Sequence, residues 1–130
     1  ALNPKKDRIL LIKQYGKNRN ILVAGYVNKG ENAEETIQRE MKEEIGRDII
    51  SYQYLKSSCY EKKNTIMLNF AVVLDSETLD IDKEEVDEAK WFSFEEAKNE
   101  IAKNSLAEQF LLYFLDKREG IKKEDYSSIV

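Results

Sequence analysis

Apolar residues fill positions 9–12, and residues 8–15 around them read as a strand. A polar turn over 16–20 leads into a second short apolar stretch, 21–24, which predicts another strand. Residues 25–32 carry Gly25 and Gly30 and no helical periodicity, so they form a loop. From Ala33 the spacing changes. Ile37, Met41 and Ile45 recur every fourth position and predict a helix over 33–45 with one buried stripe. Asn32 with Glu35 reads as a capping box at its start, and Gly46 as its stop. Residues 49–60 and 65–74, rich in β-branched and aromatic types, predict two strands joined by a turn over 61–64. An acidic loop, 75–85, precedes a last strand over 89–94. Ser93 with Glu96 and Ser105 with Glu108 each open a helix. The second carries Leu106, Phe110, Leu111, Phe114 and Leu115, a face suited to the core or to a second copy of the chain.

This order predicts an α/β domain in which helices cover a mixed sheet. Residues 1–118 are expected to make one domain and 119–130 a polar tail. Too few residues precede Arg8 for another strand, so one needed there would lie upstream or be missing. The chain does not begin with Met, as expected of a processed chain or a piece of a longer one.

Composition narrows the chemistry. A net charge of -4 over 130 residues argues against a general grip on nucleic acid. It leaves room for a phosphate ligand, because bound cations invert the local field. The sequence has no histidine, which removes His-dependent nucleophiles and His-ligated metals. Its single cysteine, Cys59, rules out an internal disulfide and suits a reducing cytoplasm. No apolar run approaches membrane-spanning length, and no signal-peptide pattern opens the chain.

On a helical wheel, Glu40, Glu43 and Glu44 fall within one arc of about 100°. A glutamate-rich face is ordinarily just solvated. Three carboxylates so close otherwise need an arginine or a hard cation, and oxygen-only ligands suit Mg2+ or Mn2+. The wider spacing decides between these. Gly25, five residues, Glu31, seven residues, Arg39-Glu40-Met41, one residue, Glu43-Glu44, one residue and Gly46 resembles the signature box of the Nudix hydrolases. At this composition a chance match has odds on the order of one in a million, the false-positive check a motif requires. Arg47 departs from the aliphatic residue usual after the last glycine, a packing role left to Ile49 or Ile50.

The resemblance spans residues 8–117 and implies an α/β/α sandwich that hydrolyses a nucleoside diphosphate linked to another moiety. It implies that Glu40, Glu43 and Glu44 bind Mg2+, with Mn2+ as a substitute. The carbonyl of Ala24 would be a further ligand, and Glu40 or Glu44 could instead assist the attacking water. Arg39 would orient Glu40. Glu31 would pair with Arg39 or hold the loop, while Gly25, Gly30 and Gly46 would serve the backbone. Residues 24–27, Ala-Gly-Tyr-Val, and 85–92, Glu-Val-Asp-Glu-Ala-Lys-Trp-Phe, look like bacterial NADH pyrophosphatases. Glu85 then matches a further metal-binding or base glutamate; on its own it reads equally as one charge of the acidic loop. The Ser-Gln-Pro-Trp-Pro-Phe-Pro-x-Ser-Leu-Met motif of that subgroup is degenerate here over 57–67. Its prolines and tryptophan are gone, and Tyr60 takes the tryptophan slot, from which it could stack on a base. Tyr26, Tyr52 and Tyr54 are further candidates for base contacts.

The expected substrates are therefore nucleotide-type small molecules: NADH or NAD+, ADP-ribose, nucleotide sugars or dinucleoside polyphosphates. Three other readings stand beside this one. One, an RNA 5'-end hydrolase removing a nucleotide cap, needs a basic face. Lys56, Lys62, Lys63 and Lys90 could make only a small one, and the net charge of -4 argues against it. A house-cleaning nucleoside triphosphate pyrophosphatase would share the chemistry. A non-catalytic nucleotide-sensing module would keep the fold, but such modules typically erode box carboxylates, and here every one is present.

Overall fold

The computed structural model describes residues 1–119. The strands are β1 (Arg8–Gln14), β2 (Ile49–Tyr60), β3 (Thr65–Leu74) and β4 (Val86–Ser93). The helices are α1 (Ala33–Glu40), α2 (Phe94–Glu100) and α3 (Leu106–Glu119). The tail expected over 119–130 falls, from residue 120 on, outside the described residues, and Glu119 closes α3.

β1 pairs antiparallel with β4, and β2 antiparallel with β3. The N-terminal residues join these two strand pairs. Leu2 bridges Ile9 in antiparallel and Val73 in parallel sense. Its N–H donates to the Val72 carbonyl at 2.7 Å, and its own carbonyl accepts from Leu74 N–H at 2.9 Å. As expected, no strand precedes Arg8; Leu2 makes isolated bridges only, yet these join the two strand pairs because Leu2 is paired on both sides. The parallel bridge also makes the sheet mixed.

Strand alternation sends successive side chains to opposite faces. Ile9, Leu11, Leu55, Ala71 and Val73 pack with Ala97, Ile101, Leu111, Phe114 and Leu115 of the α2–α3 layer. Leu10, Ile12, Val72, Leu74 and Val86 pack with Met41 and Ile45 below the glutamate-bearing helix. The molecule is therefore an α/β/α sandwich. The apolar face of α3 goes into the core. Trp91 packs against the second cluster and Phe92 against the first, so both are packing residues.

Two boundaries differ from the sequence expectation. Residues 21–24 form no strand; Ile21 alone bridges Ile12, with both backbone bonds at 2.9 Å. β4 begins at Val86, three residues early, because its register with β1 runs on to Gln14.

Candidate active site

The capping box at Asn32 forms as expected: the Asn32 side chain accepts from Glu35 N–H at 2.8 Å, and Glu35 Oε1 accepts from Asn32 N–H at 3.0 Å. α1 then runs to Glu40 and opens into a π-helical turn, Met41–Ile45, closed by Gly46 at φ 74°. π turns recur at functional sites, and this one carries Glu43 and Glu44. The backbone it frees is used by the acidic loop. Asp80 N–H donates to the Ile45 carbonyl at 2.9 Å, and Asp82 N–H to the Glu44 carbonyl at 3.0 Å. The loop is further tied down where Trp91 Nε1 donates to the Glu77 carbonyl at 2.9 Å.

Arg39 is the hub of the helix side. Its Nε and Nη2 grip Glu31 at 2.8 and 3.0 Å. Nη1 donates to Glu40 Oε1 at 2.8 Å and to Glu43 Oε2 at 3.2 Å, and Nη2 also reaches the Tyr26 carbonyl at 2.9 Å. Glu31 in turn accepts from Asn28 N–H at 3.1 Å and Thr36 Oγ1 at 2.8 Å. The bonds from Arg39 and from the Asn28 backbone hold the Glu31 carboxyl down at about 2. The two partners likewise keep the Arg39 guanidinium charged. Gly25 lies against this hub: a Cβ there would fall 2.2 Å from the Glu40 carboxyl carbon.

Glu40, Glu43, Glu44, Asp82 and Glu85 line one pocket of about 320 Å3. Glu44 is 8 % exposed, and its Oε2 has no hydrogen-bond partner. Burial first, then the charges of Glu40, Glu85 and Glu43, pushes its carboxyl up to about 8. Among the described residues no three acidic groups are already gathered tightly enough to cage an ion. The donor set nonetheless fits hard divalent cations. It is all oxygen, it is over-supplied with negative charge, and it includes a buried acceptor with nothing to accept from.

The structure thus brings Glu40, Glu43 and Glu44 together with Glu85. Ala24 is exposed beside Gly25, adjoining the Glu40 side chain. Gly30 takes a positive φ of 82° in open space. Tyr26 meets Arg39 only through its carbonyl, and its residue is 62 % exposed. Tyr60 ends β2 opposite Thr65, and neither tyrosine is among the pocket-lining residues. Tyr52 and Tyr54 stand edge-on to Phe70. Ile49 packs on the core in the slot that Arg47 vacates, whereas Ile50 is exposed; Arg47 instead pairs with Asp75 at 3.5 Å. Asp82 was not singled out from sequence. Its loop carries several other acidic residues, and what sets Asp82 apart is its place on the pocket wall with its N–H on the Glu44 carbonyl.

Comparison with known proteins agrees with this geometry. The family model described as NUDIX domain matches residues 1–114. A Stutzerimonas stutzeri protein named NAD-capped RNA hydrolase NudC is 32% identical over 122 residues, covering 92% of this chain and 44% of its own length. The protein of that name from Pseudomonas syringae pv. syringae is 31% identical over 122 residues, with the same 92% and 44% coverage. The chain therefore spans less than half the length of these relatives. A Caenorhabditis elegans Ap4A hydrolase binary complex superposes with a TM-score of 0.71 at 21% identity, covering 88% of this chain and 89% of that one. The NUDIX domain of Shewanella oneidensis NrtR, complexed with ADP ribose, gives 0.71 at 14% identity, covering 85% and 77%. These two likenesses concern the fold.

Proposed function

The chain belongs to the Nudix family, and from that premise we propose that it cleaves the pyrophosphate bond of a nucleoside diphosphate linked to another moiety. The observation that carries this reading is the convergence of five carboxylates on one pocket, with Glu44 buried and one of its oxygens unpartnered. Glu40, Glu43, Glu44 and Glu85 would hold Mg2+ or Mn2+, with the Ala24 carbonyl beside them. Bound there, such ions neutralise phosphate oxygens and lower the pKa of water.

The chain's own groups divide the remaining work. Arg39 fixes Glu40 through a charge-assisted bond, and Glu31 fixes Arg39 from the far side. Glu40 or Glu44 would take the proton of the attacking water. Tyr26 and Tyr60 are proposed to meet the base. Action in the cytoplasm is part of this proposal; separately, no helix of the described residues is long and apolar enough to cross a membrane.

The names of the relatives point back to the RNA 5'-end reading that the charge argued against, with an NAD moiety as the cap. The net charge of -4 favours free dinucleotides over a long RNA contact. The test is product analysis with Mg2+ or Mn2+ against NADH, NAD+, NAD-capped RNA, ADP-ribose, UDP-sugars, diadenosine polyphosphates and dNTPs. Glu44→Gln serves as the control. Metal-dependent release of two monophosphate-bearing products, lost in the control, is expected. Turnover of dNTPs alone would move the protein to the triphosphate pyrophosphatases. Binding without turnover of any substrate would make it a sensing module.

A further inference from the structure

Position 47 is where the chain leaves its family's pattern. The aliphatic residue usual there serves packing, and Ile49 already packs on the core in its place. Arg47 therefore stands where packing asks for nothing, and its contacts give it another task. Its Nε donates to the Gly46 carbonyl at 2.9 Å, and the same nitrogen lies 3.5 Å from Asp75 Oδ1. Gly46 closes the π turn that carries Glu43 and Glu44, and Asp75 opens the acidic loop that ends at Glu85. The backbone closes the same corner, where Asp75 N–H donates to the Asp48 carbonyl at 3.0 Å.

The charges around this corner work against it. The turn holds Glu43 and Glu44 and follows Glu40. The loop holds Asp75, Glu77, Asp80, Asp82, Glu84 and Glu85 against a single lysine, Lys83. Two acidic segments side by side repel each other. The carbonyl end of a helical segment adds partial negative charge on the same side. The N–H groups of Asp80 and Asp82 hold the loop onto the Ile45 and Glu44 carbonyls, but these bonds bring no net charge. Arg47 brings a full positive charge, and it reaches both the carbonyl that closes the turn and the carboxylate that opens the loop. The next anchor along the loop is Glu77, whose carbonyl accepts from Trp91 Nε1 at 2.9 Å. Arg47 itself does not line the pocket.

Resting on the hydrolase reading above, we propose that Arg47 is a positioning residue. It latches the acidic loop onto the end of the glutamate-bearing turn and thereby seats Glu85 in the pocket with Glu44.

The test reads the loop and the site separately. Trp91 is the single tryptophan of the chain, so its indole N–H gives one resonance that reports how firmly Glu77 is seated. Its exchange with water is measured without metal. Mn2+ affinity is measured from the paramagnetic resonance signal of free Mn2+. The variants are Arg47→Leu, which restores the aliphatic type, Arg47→Lys, which keeps the charge, Asp75→Asn, and the double variant Arg47→Leu with Asp75→Asn. In Arg47→Leu and in Asp75→Asn the indole N–H should exchange faster. Mn2+ affinity should fall about 10-fold in each, the low end of the range for groups that support a metal site. Melting temperature should barely move, because a partly exposed ion pair adds little to overall stability. The double variant should be no worse than either single one, as expected of two partners. Arg47→Lys should keep most of the affinity. Raised salt should speed indole exchange in the wild type and not in Arg47→Leu. Wild-type exchange and affinity in Arg47→Leu would overturn the latch. So would additive losses in the double variant, or a lysine variant as impaired as the leucine one. Absence of Mn2+ binding by the wild type would instead overturn the hydrolase reading, and indole exchange would then decide the latch by itself.

Discussion

Glu44 is the residue at which charge, burial and pH meet. Its carboxyl ordinarily titrates near 4.5 and here is pushed up to about 8, by burial first and then by Glu40. The folded protein therefore holds a proton that the unfolded chain has released throughout the window between these values. Stability contributed by this group falls as pH rises across that window. Glu31 has the opposite sign. Arg39 holds it near 2, so its contribution is complete above 4.5 and is lost only as pH falls toward 2. The two windows do not overlap. Calorimetric melting with a chelator present, from pH 5 to pH 8, should show the wild type losing stability with pH. Glu44→Gln should flatten that slope and melt higher than the wild type at pH 8. Added Mg2+ should rescue the wild type most at pH 8 and the variant hardly at all. A wild type and variant that melt in parallel across this range would show that Glu44 does not carry the proton.

The helix that bears the glutamates was legible at both ends and hidden in between. Asn32 and Glu35 announce its start because a capping box is a local contact between neighbours in sequence. Gly46 announces its stop for a reason the structure sharpens. Its φ is 74°, and a Cβ would lie 2.7 Å from Asp80 Cβ and 2.8 Å from the Asp80 carbonyl. The π turn between them left no mark on the apolar spacing, since Ile45 is buried either way. Its last carbonyls, those of Glu44 and Ile45, which any helix end leaves without a partner, are taken by tertiary contacts with the N–H groups of Asp82 and Asp80. The same cause hid Asp82, whereas the contacts from Arg39 to Glu31 and Glu40 follow from spacing within one helix and its loop. Gly46→Ala joins left-handed strain of about 1–2 kcal/mol to the clash with Asp80. Urea unfolding should report at least that loss. Mn2+ affinity should fall with it, because the displaced loop carries Asp82 and Glu85. A variant that loses stability and keeps Mn2+ affinity would show that the loop and the turn are not one unit.

At the scale of the molecule, the site depends on two antiparallel strand pairs being held as one sheet. β1 sits beneath the glutamate helix through Leu10 and Ile12, and β3 through Val72 and Leu74. The two strands meet through the stub around Leu2, which is 3 % exposed and packs on the opposite face with Val73 and Phe114. This junction could not be read from sequence, because a single bridging residue has no periodicity to show. Its energetic weight follows from its place. Leu2→Ala removes a buried leucine and should cost about 2–5 kcal/mol, the range for such truncations in a packed core. Deleting residues 1–3 removes that burial together with the backbone bonds on both sides of the stub, Leu2 to Val72 and Leu74, and Ala1 to Leu10. Loss of paired backbone adds to the cavity cost, so the deletion should be the more damaging variant and should broaden or split the urea transition. Glu40, Glu43 and Glu44 are far from Leu2 in sequence, yet their Mn2+ affinity should fall in the deletion, since their helix rests on both strand pairs. A deletion variant as stable as Leu2→Ala, with Mn2+ binding intact, would mean that the helical layers alone hold the sheet together.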